Sequence, residues 1–143
     1  MILNTTYFEK EHKSLIEDIV GKSFSLWQSI KMRGIGSKRM IIQKVSPNLQ
    51  QYSNKVSDIN YANIELRPHG IVIYINKGLK NFTWVIPYYQ LHIYKTKFMS
   101  IHAQGKFIQF SNNKTFKENK GFLKKMMAAK IAYDKQHNFI NLV

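Results

Sequence analysis

From residue 40 to residue 110 the chain is cut into short β-branched and aromatic runs, each closed by a turn. That segmentation constrains the fold more than any other feature. MIIQKV (40–45) stops at Ser46-Pro47-Asn48. Residues 60–66 alternate up to Arg67-Pro68-His69-Gly70, where Pro and Gly occupy positions that favour a turn. GIVIYI (70–75) follows, closed by Asn76-Lys77-Gly78, and then come residues 82–86, 88–94, 100–103 and, after Gly105, 106–110. Strands this short and this regularly punctuated predict an antiparallel meander.

Helical periodicity flanks the meander. Thr6-Tyr7-Phe8-Glu9 fits a capping box, Phe8, Leu15, Ile16 and Ile19 recur at helical spacing, and Gly21 supplies a stop. A helix over residues 7–20 is expected. Thr115-Phe116-Lys117-Glu118 fits a second capping box. Phe122, Met126, Ala129 and Tyr133 then share one face, predicting an amphipathic helix over 116–135 with a fraying tail after Gln136. Between them residues 22–40 read ambiguously. Phe24, Leu26 and Trp27 promise burial, whereas Gly34 and Gly36 argue for a loop after Lys31. With no internal repeat or linker, the expectation is a single α+β domain over residues 1–143: a curved sheet or roll with a helix at each end.

The most aromatic segment is WVIPYYQLHIY (84–94). If residues 88–94 form a strand, Tyr89, Leu91 and Ile93 face one side and Tyr88, Gln90, His92 and Tyr94 the other. Trp84 and Tyr89 are expected in the core, among aliphatic neighbours. Tyr88, His92 and Tyr94, with Lys95, Lys97 and Lys106, make the candidate exposed face on which nucleic-acid bases could stack.

The charge is strongly positive, +14 from 22 Lys and Arg against 8 Asp and Glu. No acidic residue lies between Asp18 and Asp58, or between Glu65 and Glu118. Such a field attracts a polyanion, either nucleic acid or an anionic membrane surface. Yet 19 of the cations are Lys and only 3 are Arg, the pattern of an AT-rich coding sequence, and the arginine fork that grips phosphates is scarce. Charge alone therefore leaves the partner open among nucleic acid, membrane and another protein. Arg33-Gly34-Ile35-Gly36-Ser37-Lys38-Arg39 is the best local candidate for anion capture, with Arg33, Lys38 and Arg39 around a backbone freed by Gly34 and Gly36. It lacks the spacing of a phosphate-binding Walker loop. Lys117, Lys120, Lys124 and Lys125 form the outer side of the C-terminal helix, a face suited to anions or simply to solubility.

Catalytic signals are missing from the sequence. Cysteine is absent, which removes disulfides, thiolate nucleophiles and Cys-based zinc sites. His92 and His102 share a sheet face if their strands form a hairpin, but no third ligand accompanies them, and His12 and His69 stand alone. Carboxylates are sparse, and Ser100 before Ile101-His102 has no strand–turn–helix elbow. A non-enzymatic binding or interaction module without cofactor or metal is expected. The N-terminus turns polar before a signal sequence could develop, and no apolar run approaches the roughly 20 residues that span a bilayer. The expected location is the cytoplasm.

GIVIYI, FTWVIPYYQLHIY and KFIQF, followed by the C-terminal amphipathic helix, resemble the layout of bacterial pleckstrin-homology-like proteins. In those proteins a strand with an aliphatic-Pro-Tyr step precedes the last strands and the helix. The resemblance leaves the N-terminal helix outside and carries no lipid-headgroup residues across. It implies a binding or scaffolding module with no catalytic centre.

Overall fold

A computed structural model describes residues 1–52 and 60–138. In chain order the elements are β1 (Ile2–Asn4), α1 (Lys10–Val20), α2 (Leu26–Lys31), β2 (Met40–Val45), a 3-10 turn (Pro47–Tyr52), β3 (Asn60–Arg67), β4 (Gly70–Lys77) and β5 (Lys80–Pro87). A second 3-10 turn (Tyr88–Gln90), β6 (His92–Lys95), β7 (Met99–Ala103), β8 (Lys106–Phe110), α3 (Lys114–Glu118) and α4 (Lys120–Asn138) complete it. The strands form one open antiparallel sheet in the order β1-β5-β4-β3-β2-β8-β7-β6. It is an α+β fold with a helix toward each end, as the segmentation implied. Two meanders, β2 to β5 and β6 to β8, are sewn together where β2 pairs with β8.

The sheet buries both faces at β4, which explains its unbroken apolar run. Ile71, Ile73 and Ile75 enter the main core with Trp84, Ile101, Ile108 and Phe110, and Phe122, Leu123 and Met126 of α4 cover that core. On the opposite face Val72 and Val85 pack with Ile16 and Val20 of α1. Fully burying one such side chain stabilises by about 1.5–3 kcal/mol, so the sheet depends on both helical covers.

Several elements depart from the sequence reading. α1 starts at Lys10 rather than residue 7, because Glu9 is the N-cap and His12 closes the reciprocal pair: the Glu9 N–H donates to His12 Nδ1 at 3.2 Å. Thr6 is drawn elsewhere, its Oγ1 accepting from the Asn81 N–H at 3.0 Å. Phe8 and Leu15 are consequently exposed, and Ile16 and Val20 carry the buried face. The start of the chain adds a strand, β1, along the outer edge of β5.

Residues 88–94 do not form one strand. β5 ends at Pro87, and the 3-10 turn at Tyr88–Gln90 shifts the alternation before β6 begins. Tyr88 is therefore buried (4% exposed) and Tyr89 is exposed (66%), the reverse of the expected facing. Trp84 is fully buried, as its neighbours implied.

The C-terminal helix is also capped differently. Asn113, not Thr115, is the N-cap, its side chain accepting from the Phe116 N–H at 3.1 Å. The helix breaks at buried Asn119 between α3 and α4. The Asn119 side chain accepts from the Lys38 N–H (2.8 Å) and donates to Lys38 O (3.3 Å) and Thr115 O (2.9 Å), tying this break to the segment entering β2. α4 runs on through His137 and Asn138 rather than fraying after Gln136, and the tail from position 139 lies outside the described residues.

Candidate functional site

The β6–β7 turn and the start of the C-terminal helix face one another across a cleft of about 250 Å³. The turn is held by Thr96, whose N–H and Oγ1 both donate to Phe98 O, at 3.0 and 3.3 Å. That brings Phe98 inward and leaves Lys95 and Lys97 outside, with Lys97 Nζ 5.8 Å from the centre of the Phe98 ring. Across the cleft, Phe116, Leu123 and Met127 extend the apolar floor. Lys117, Lys120 and Lys124 complete the rim, and all five lysines of this rim are exposed. Glu118 is also exposed but does not line the cleft. The site thus combines a cluster of cations with a half-buried hydrocarbon floor. A ligand with an anionic head and a short apolar part satisfies both.

Two of these lysines, Lys95 and Lys97, were legible as an exposed set. Their partners in space are the helix lysines, not the tyrosines named with them. Tyr88 is a correction to that set. It lies in the core, its hydroxyl donates to Arg67 O at 3.2 Å, and burial pushes its pKa up to about 12. His92 and Tyr94 do stay exposed on β6. There Tyr94 meets His102 edge-on at 4.7 Å, and His102 stacks on Phe107 at 5.2 Å. β6 and β7 pair with His92 opposite His102, so the two histidines share a face as the hairpin reading required. Burial, then the nearby His92, lowers the pKa of His102, and Ser100 Oγ lies 2.9 Å from its Nε2. Among the described residues no three His, Asp or Glu side chains gather as a metal-holding group. Lys106 flanks this ring cluster beside His102 and Phe107.

The Arg33–Arg39 segment is built into the sheet. Its Ser37 N–H donates to Ile64 O (2.8 Å), the Leu66 N–H donates to Ile35 O (2.7 Å), and Gly36 bridges to Glu65. The backbone N–H groups of Arg33, Gly34, Ser37 and Lys38 all have partners inside the protein. Lys125 Nζ donates to the carbonyls of Arg33 (2.6 Å) and Gly34 (3.2 Å). What the segment presents outward is therefore the side chains of Arg33, Lys38 and Arg39, with Arg39 lying 4.9 Å over the Tyr61 ring.

Comparison with known proteins finds no match among family models, curated proteins or solved structures. The site must therefore be read from its own chemistry. Among the described residues no helix is long and apolar enough to cross a membrane.

Proposed function

We propose that this protein is a non-enzymatic binding module that takes an anionic ligand with an apolar part in the cleft between the β6–β7 turn and the α3–α4 segment. The observation that carries the reading is the rim of Lys95, Lys97, Lys117, Lys120 and Lys124 around a floor of Phe98, Phe116, Leu123 and Met127. A floor this apolar beneath five cations is unsuited to a purely inorganic anion, and the cations are unsuited to a neutral hydrocarbon. The volume of about 250 Å³ is smaller than the roughly 300–1,000 Å³ of whole small-molecule sites, so the cleft holds a head group and a short length of chain. A pleckstrin-homology-like relationship fits the same picture. What supports it is the run of antiparallel strands from β2 to β8 closed by the C-terminal helix. The proposed setting is the cytoplasm.

Calorimetric titration with monomeric dodecyl phosphate tests this, with inorganic phosphate as the comparison. The alkyl phosphate should bind more tightly than the inorganic ion, and Lys120→Glu/Lys124→Glu should weaken it at least about tenfold. Equal affinity for both phosphates, or a double variant that binds as well as the parent, contradicts the proposal.

A second reading rests on the ring cluster of Tyr94, His102 and Phe107 on β6, β7 and β8. Aromatic rings on an open sheet face beside lysines can stack single-stranded bases. Oligonucleotide anisotropy separates the two readings. Stacking requires a salt-dependent affinity that Tyr94→Ala reduces and that the Lys120→Glu/Lys124→Glu cleft variant leaves its Tyr94 dependence. Absence of single-strand binding at low salt removes this reading.

A further inference from the structure

α2 is a folded helix with its apolar face turned outward. Its start is capped reciprocally, with the Gln28 N–H donating to Ser25 Oγ (3.2 Å) and the Ser25 N–H donating to Gln28 Oε1 (3.1 Å). Ser29 Oγ adds a bond to Ser25 O at 2.9 Å. Phe24 before the helix and Met32 after it pack against the main core. The helix is thus pinned at both ends while none of its own residues is buried. Leu26 is 79% exposed, Trp27 68% and Ile30 62%. At positions i, i+1 and i+4 they share one side of the helix.

A Trp with two large aliphatic side chains held in water is unfavourable by hydrophobic transfer, and nothing within the described chain covers them. The surroundings indicate what would. Lys22 precedes the helix, Lys31 ends it and Arg33 follows it, all three exposed, and the sequence contains no acidic residue between Asp18 and Asp58. Glu65, the carboxylate that reaches this region through Ser23, is already engaged by Arg67 at 2.7 Å and by the Tyr74 hydroxyl at 2.8 Å.

We propose that α2 docks on an anionic lipid bilayer, with Leu26, Trp27 and Ile30 entering the interfacial layer and the flanking cations meeting lipid phosphates. Trp favours the headgroup boundary, and each Lys or Arg near an anionic leaflet adds electrostatic attraction that salt screens. A second copy of this chain fits less well. Three side chains cover far less than the roughly 800 Å² per partner of a stable interface, and a two-fold contact sets Lys31 and Arg33 against their own copies. A bilayer needs no shape complementarity and supplies the opposite charge. This surface is distinct from the lysine-rimmed cleft, and its test uses different residues.

The test is sedimentation of the full chain with vesicles of phosphatidylcholine alone and of phosphatidylcholine containing about one-third phosphatidylglycerol. Tryptophan emission is recorded alongside. Trp84 is fully buried and should stay constant, so a blue shift reports Trp27. The expected result is binding and a blue shift with the anionic vesicles, weakened by salt. Leu26→Ser/Trp27→Ser/Ile30→Ser should lose at least about tenfold in vesicle binding. Its melting temperature should stay unchanged, because α2 buries none of its residues. The cleft variant Lys120→Glu/Lys124→Glu should keep the Trp27 blue shift, which separates this surface from the cleft. The proposal is overturned if vesicles do not bind or if the triple variant binds as the parent does. A parent dimer that the triple variant converts to monomer would overturn it equally, by assigning the face to a protein contact.

Discussion

Gly70 opens β4 at a point where three elements meet, and replacing it with Ala should unseat all of them. A Cβ built there would lie 2.2 Å from Ile86 O, 2.7 Å from Pro87 Cα and 2.7 Å from Val20 Cγ1. Ordinary contacts to a Cβ begin near 3.4 Å. Two of the three obstacles are backbone atoms of β5, which no rotamer change can move aside. The third belongs to the helix that covers the opposite face of the sheet. β4 and β5 pair from Gly70↔Pro87 to Lys77↔Lys80, so relief requires prising open the end of the longest ladder or lifting α1. Overpacking a core typically costs about 1–3 kcal/mol, and a clash with backbone belongs at the upper end or beyond. Against a total stability of about 5–15 kcal/mol, a loss of about 3 kcal/mol should lower the melting temperature by roughly 10 °C. Gly121→Ala is the control. It sits in α4 with nothing within 4 Å of the added methyl, and the gain in helix propensity should raise stability by about 0.5–1 kcal/mol. Circular dichroism melts of the two variants decide it. If Gly70→Ala melts with the parent, β4, β5 and α1 do not meet as closely as described.

Phe122→Ala should cost about 3–5 kcal/mol, because Phe122 is part of the core beneath α4, whereas exposed Lys124→Ala should leave the melt unchanged; equal melting would show that α4 is not packed on the sheet. Asn119→Ala removes the partner of both the N–H and the carbonyl of Lys38 and should cost about 1–3 kcal/mol. Hydrogen exchange at the Lys38 amide should accelerate, and unchanged protection would contradict the tie. Burial, chiefly, raises the pKa values of Tyr74 and Tyr88 from the usual 10.0 to about 12, with Glu65 adding to the effect at Tyr74. A raised acid pKa in the folded state contributes stability that is complete below pH 10 and lost as pH rises toward 12. Phenolate absorbance should therefore show two tyrosines ionising late, together with falling stability over that window; ionisation of all eight near pH 10 in the folded protein would contradict it.

Strand order and helix faces were unequally legible in the sequence. The runs at residues 40–45, 70–75 and 106–110 emerged as β2, most of β4 and β8, because turn residues bound each one and β-branched side chains fill it. The facing of Tyr88 and Tyr89 was misread because alternation assumes an unbroken strand, and a single 3-10 turn after Pro87 restarts the count. Capping signals failed for a related reason. Thr6 and Thr115 match the local pattern, but Glu9 and Asn113 win the caps once Thr6 is recruited by Asn81 and Thr115 donates to Asn113 Oδ1 at 2.7 Å. Residues 22–40 read ambiguously, and the loop expected after Lys31 does begin where α2 ends, but Leu26 and Trp27, which promised burial, lie on the surface. The lysine-rimmed cleft was present in the sequence only as two separate lysine sets. Nothing local shows that the β6–β7 turn lies over the start of α4; that juxtaposition follows from β2 pairing with β8 and from Asn119 gripping Lys38.

The measurement that bears most directly on the binding-module account is a chemical-shift titration of the isotope-labelled full chain with monomeric dodecyl phosphate. The account predicts saturable shifts concentrated at the amides of Lys97, Phe98, Phe116, Lys120 and Leu123 and at the Met127 methyl, with the ring cluster of Tyr94, His102 and Phe107 left unmoved. Inorganic phosphate should shift only the lysines, and weakly. Shifts centred on Tyr94 and His102, or scattered over the basic surface without saturation, would contradict the assignment of the cleft as the binding site.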